Sequence, residues 1–106
     1  CLKIHGSGTI KQPIIIGAWG RGKRPIFKMG DNAYYTVLIR NSDYVTLKDL
    51  EIVNHGQKRL PGRVGVKVLC EDYGTSHGIF LKNLYIHDIN GGLIKHKGEG
   101  CAILIE

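Results

Sequence analysis

Residues Val37 to Ile52 and Val66 to Ile86 carry one pattern twice. The first copy reads Val-Leu-Ile and then Val-Thr-Leu-Lys-Asp-Leu-Glu-Ile; the second reads Val-Lys-Val and then Ile-Phe-Leu-Lys-Asn-Leu-Tyr-Ile. Ile79, Leu81, Leu84 and Ile86 each lie 34 positions after Val45, Leu47, Leu50 and Ile52, so four apolar positions recur without slipping. Within each copy apolar residues alternate with polar or aromatic ones, the period-two signature of short strands buried on one face. A repeat of this length with three short strands and no helical stretch predicts a solenoid of stacked turns.

The first third of the chain follows the same scheme. Pro13-Ile14-Ile15-Ile16 and Pro25-Ile26-Phe27 read as strands, and Ile14 and Ile16 lie 31 positions before Val45 and Leu47. Leu2-Lys3-Ile4 also reads as structure, and Cys101 to Glu106 reads as the opening strand of a further turn. About three turns are therefore expected. We read residues 1–106 as a single segment, the N-terminal part of a longer solenoid domain, because repeat arrays need polar caps and neither end carries one. Cys1 is then the point where the segment was cut rather than a lipidated first residue.

The corners specify the type of solenoid. Only two residues, Lys48-Asp49 and Lys82-Asn83, separate the second and third strands of each copy, and Asp and Asn tolerate the left-handed backbone that a sharp bend requires. A variable corner (Asn41 to Tyr44, then Cys70 to Gly78) and a long polar excursion (Asn54 to Gly65, then Asp88 to Gly100) complete each turn. The result is a three-sided coil. Val37, Ile39, Val45, Leu47, Leu50, Ile52, Val66, Val68, Ile79, Leu81, Leu84 and Ile86 form its expected core.

Gly17 to Lys23 satisfies the GxxxxGK phosphate-loop string, but Arg24 stands where Ser or Thr would hold magnesium, and Pro25-Ile26-Phe27 reads as a strand where a helix should begin. A glycine-rich corner is the better reading. His5, His55, His77, His87 and His96 show no zinc-ligand spacing. Asp88, after His87, takes the place of Asn54 in the earlier copy, and both are read as loop-anchoring hydrogen-bond formers. Cys70 and Cys101 are expected as buried thiols, with a disulfide left open. No apolar run approaches the roughly 20 residues of a membrane helix.

The segments Gly6-Ser7-Gly8-Thr9, Asn41 to Ile52 and Leu84 to Gly91 together resemble the right-handed parallel β-helix of the pectate-lyase-like family. That family holds pectate, alginate and chondroitin lyases, polygalacturonases and β-helix xylosidases of bacterial extracytoplasmic origin. The resemblance implies an all-β, right-handed, three-sided fold, a secreted, periplasmic or cell-surface location, and polysaccharide as partner rather than nucleic acid. It implies cleavage by a lyase or a glycoside hydrolase acting on an acidic, plant-type or host-type glycan, with most catalytic residues downstream. The alternative is a non-catalytic adhesin, binding scaffold or stalk. By the same resemblance Asp49 and Asn83 match the asparagine-ladder corner, and the strands at Val37, Val66 and Ala102 form the first sheet, whose outer face is the groove.

The chain carries 15 Lys and Arg against nine Asp and Glu, a formal charge of +6, which favours polyanionic partners, whether acidic polysaccharide, nucleic acid or anionic lipid; among these it is the resemblance that implies an acidic sugar. On the first-sheet face and its rims the candidate substrate-binding residues are Arg40, Arg63, Lys67, Glu71, Asp72 and Tyr73. Lys67, Glu99 and Glu106 are the candidate catalytic residues. A lyase would neutralise a uronate carboxylate and remove its α-proton, with calcium as the cofactor the resemblance implies and Glu71 and Asp72 as its candidate ligands. A hydrolase would use two carboxylates. Lys48 and Lys82 lie on a different side, and Trp19, Tyr73 and Tyr85 are available for stacking on sugar rings or for packing between turns.

Overall fold

The computed structural model describes residues 2–18, 22–30, 32–93 and 100–106. Ten strands follow one another: β1 Leu2–Ile4, β2 Ile14–Gly17, β3 Ile26–Met29, β4 Tyr35–Arg40, β5 Val45–Lys48, β6 Glu51–Asn54, β7 Val64–Leu69, β8 Ile79–Lys82, β9 Tyr85–Ile89 and β10 Cys101–Ile105. They sort by threes into parallel sheets ordered β1-β4-β7-β10, β2-β5-β8 and β3-β6-β9. This is a right-handed parallel β-helix, the hand that parallel crossovers take almost without exception.

The register matches the repeat. Val45 pairs with Ile14 on one side and Ile79 on the other, and Leu47 pairs with Ile16 and Leu81. Val37, Ile39, Val45, Leu47, Leu50, Ile52, Val66 and Val68 are buried in one cluster. Each such side chain removed from water contributes about 1.5–3 kcal/mol. Ile79, Leu81, Leu84 and Ile86, expected to be buried as well, are only partly so. They belong to the third turn, where the stack has a neighbour on one side among the described residues.

The tight corner forms as its residues require. Asp49 has φ 57° and Asn83 has φ 49°. Asn83 Nδ2 donates to Asp49 Oδ1 at 2.8 Å, and Arg24, two turns from Asn83, donates from Nη2 to Asn83 Oδ1 at 2.8 Å. In the variable corner Tyr44 also takes a left-handed backbone, φ 54°, and Gly78 repeats it at 66°. A Cβ on Gly78 would meet the Tyr44 ring at 2.5 Å, so that ring sits where only glycine leaves room.

One equivalence is displaced. Asn54 pairs with Ile89 rather than Asp88, because the ladder shifts after Val53 opposite His87 and leaves Asp88 in a bulge with φ 54°. Asn54 does anchor a loop, donating from Nδ2 to Ala33 O at 3.1 Å and Val64 O at 3.0 Å. Asp88 instead meets its neighbour His87.

Candidate functional site

Alternation in β4, β7 and β10 sets Leu38, Lys67 and Leu104 side by side on the outer face of the first sheet, opposite the core positions Val37, Val66 and Ile103. Leu38 is 7% exposed and Lys67 keeps 24% of its side chain exposed. The lysine stem covers apolar surface while its ammonium reaches outward. That ammonium meets Glu106, with Nζ 3.2 Å from Oε2. Glu106 extends the ladder past β10, its amide donating to Val68 O at 2.9 Å and its carbonyl accepting from Cys70 N at 2.9 Å. Lys67 and Glu106 thus stand together on this face.

Arg40 ends β4 on the rim, its Nη2 3.8 Å from Glu71 Oε2, with about half of each side chain exposed. Pairs this open add about 0–1 kcal/mol. Glu71 is placed by a hydrogen bond from its amide to Asn41 Oδ1 at 2.8 Å. Asp72 is exposed and occupies a left-handed turn position, φ 53°. Glu99, like Trp19 and Cys1, lies outside the described residues.

Arg63 departs from expectation. Placed on the groove flank by its loop position, it is instead fully buried, at 0% exposure. Its Nη1 donates to Asn90 Oδ1. Asn90 also bonds Gly56 of the same earlier excursion, accepting from Gly56 N at 3.0 Å and donating to Gly56 O at 2.7 Å. A buried guanidinium is retained only when bonded, and here it ties two long excursions together instead of meeting a sugar.

Tyr73 is present on the rim, but its hydroxyl is engaged. It donates to Asp43 Oδ2 at 2.9 Å and lies 3.3 Å from Ser7 Oγ. The other carboxylate oxygen, Asp43 Oδ1, accepts from His77 N at 2.8 Å, and Asp43 N donates to Ser7 Oγ at 2.9 Å. The His77 backbone amide and then the Tyr73 hydroxyl hold the Asp43 carboxyl below its usual range. This knot of Ser7, Asp43, Tyr73 and His77 joins the variable corners of three turns. Sequence reading did not single out Asp43, since its partners lie 36, 30 and 34 residues away. The only local signal was an Asp in a corner of positive-φ residue types.

Calcium takes about six to eight oxygen ligands. Among the described residues no three His, Cys, Asp or Glu side chains converge, and Glu71 and Glu106 each face a cation instead. Among the described residues Glu71 and Asp72 are joined by no third such side chain, and Glu99 lies outside them. Cys70 and Cys101 are free thiols; Cys70 Sγ donates to Gly74 O at 3.4 Å, and burial pushes the Cys101 thiol up. Among the described residues no helix is long and apolar enough to cross a membrane.

What the face offers is a narrow strip with a carboxylate and an ammonium in contact, an apolar floor, and a rim of charged and aromatic groups. No family model matches the chain, and no curated protein matches it. Solved structures do match, among them two of GH136 lacto-N-biosidase from Eubacterium ramulus. The selenomethionine derivative is 31% identical with a TM-score of 0.80, and the native protein is 29% identical with a TM-score of 0.80. Each match covers 98% of this chain and 22% of that one, so the whole of this β-helix is similar to less than a quarter of a glycoside hydrolase.

Proposed function

We propose that this chain is part of the β-helix of a glycoside hydrolase, acting outside the cytoplasm on a neutral, host-type oligosaccharide of the lacto-N-biose kind. The observation that carries this reading is the match to a lacto-N-biosidase along 98% of the chain at 31% identity. Charge supports the neutral substrate. Of the cations assigned to an acidic sugar, Arg63 is buried, Lys67 faces Glu106 and Arg40 faces Glu71. A uronate would have to displace a carboxylate to reach either exposed cation, whereas sugar hydroxyls donate to Glu106 and accept from Lys67 without breaking the pair. The groove is the outer face of the first sheet.

The test uses the full-length protein that contains this chain, incubated with an oligosaccharide ending in lacto-N-biose and, separately, with a panel of acidic polysaccharides. New reducing ends from the first, with no ultraviolet absorbance from unsaturated uronides in the second, are expected. In the same protein Lys67→Ala removes a charged hydrogen-bond donor, about 1.5–3 kcal/mol, so kcat/KM falls roughly ten- to a hundredfold. Lys48→Ala, on another side, leaves it unchanged. Unsaturated uronides would make the protein a lyase, and neither product would place it among non-catalytic β-helices.

A further inference from the structure

The third sheet presents a second outer face. Its outward positions are Ile26 and Lys28 on β3, Glu51 and Val53 on β6, and Tyr85 and His87 on β9, paired as Ile26, Glu51, Tyr85 and as Lys28, Val53, His87. Three strands at the ~4.8 Å spacing of a sheet span about 10 Å, the length of two linked pyranose rings. Val53, 6% exposed, is the floor between Lys28 and His87. Tyr85 is 50% exposed, and its ring is stacked on that of His87 with centroids 4.4 Å apart and planes at 28°.

The polar groups beside this platform are held in place. Asp88 Oδ2 lies 2.7 Å from His87 Nδ1, and an ionised carboxylate can only accept, so Nδ1 carries the hydrogen. On the other side of the imidazole Nε2 is 3.7 Å from Glu51 Oε1. Asp88 reaches this position because of the bulge, in a left-handed backbone, φ 54°, that L residues other than Asn and Asp rarely adopt. Bulges re-aim side chains and are concentrated beside binding sites. Next to the platform a cleft of about 290 Å³ is lined by Lys28, Val53, His55 and Asp88, and a second of about 550 Å³ shares Lys28 and His55 and adds Gln57. Both are shallow and open broadly to solvent, as a surface subsite for a sugar would be.

We propose that this third-sheet face is a binding subsite for a neutral pyranoside, one or two residues long, separate from the first-sheet groove. The face of the exposed Tyr85 ring that His87 leaves uncovered receives the apolar face of a sugar, and the stacked imidazole holds that ring in place. Glu51 and Asp88 accept from its hydroxyls, and Lys28 and Gln57 donate to them. Two carboxylates against one lysine disfavour a uronate. The inference rests on the carbohydrate reading of the chain but not on catalysis.

The experiment measures lactose and digalacturonate binding to the full-length protein by saturation-transfer NMR and titration calorimetry, with Tyr85→Ala, Tyr85→Phe and Asp88→Ala as variants. Both side chains are at least half exposed, so the core is untouched, and thermal melting checks this. Lactose is expected to bind the native protein. Tyr85→Ala and Asp88→Ala should weaken it about tenfold or more, and Tyr85→Phe should retain most of it. Equal binding by all variants, preference for digalacturonate, or no lactose binding by the native protein would each overturn the proposal. Hydrolysis, assayed separately on the native protein, distinguishes the two readings: lactose binding lost in the variants without hydrolysis leaves this one standing alone, and hydrolysis with unaffected binding does the reverse.

Discussion

Both oxygens of the Asp43 carboxylate are occupied by donors from the next turn, and this fixes how the fold responds to acid. Because its folded pKa is lowered, Asp43 adds stability that is fully present above the ordinary carboxylate range and is lost as pH falls through the lower folded value. Melting temperature followed from pH 6 downward should therefore drop more steeply below about pH 4 in the native protein than in Asp43→Asn. Parallel curves would remove Asp43 from the acid response. Neither this knot nor the burial of Arg63 was legible in the sequence. Ser7, Asp43 and Tyr73 stand in three loops of different length, and only the stacking of turns brings them together. Arg63 reads as a surface cation until Asn90, 27 residues on, supplies its partner inside the fold. Lys67 and Glu106 were legible, because strand alternation alone places them outward.

At the level of elements, the second corner is the most constrained. Asn83 combines a positive φ with hydrogen bonds to Asp49 and from Arg24. Asn83→Gly keeps the backbone but loses both bonds, while Asn83→Ala loses the bonds and takes on the left-handed strain as well. Denaturant titration should rank stability native, then Gly, then Ala, with the Ala variant down by about 1–3 kcal/mol. An Ala variant at least as stable as the Gly variant would contradict the corner geometry. The strands and this corner were readable because alternation and a constant two-residue gap are local features. The bulge was not: a 34-residue offset that holds from Val45 to Ile86 gives no sign that it slips by one at Asp88. That slip turns Asp88 from a counterpart of Asn54 into the neighbour of a stacked histidine.

For the molecule as a whole, the outermost strands among the described residues pair on one side only. Among the described residues β1, β2 and β3 lie at one end and β8, β9 and β10 at the other. Ile103 and Ile105 on β10 are 41% and 71% exposed although their register points them inward. Open edges of this kind template further pairing. The 106-residue chain expressed by itself should therefore self-associate, read by light scattering behind size exclusion; a monodisperse monomer with a sharp melt would count against it. Within the stack, coupling between turns is mostly nearest-neighbour, so an end turn is free to fray without consulting the rest. Arg24 breaks that rule. Its side chain leaves the first turn, passes the second and fastens to Asn83 in the third, so a first turn that lifts away also loosens the corner two storeys up, and the coil gains a cooperativity that stacking alone does not give it.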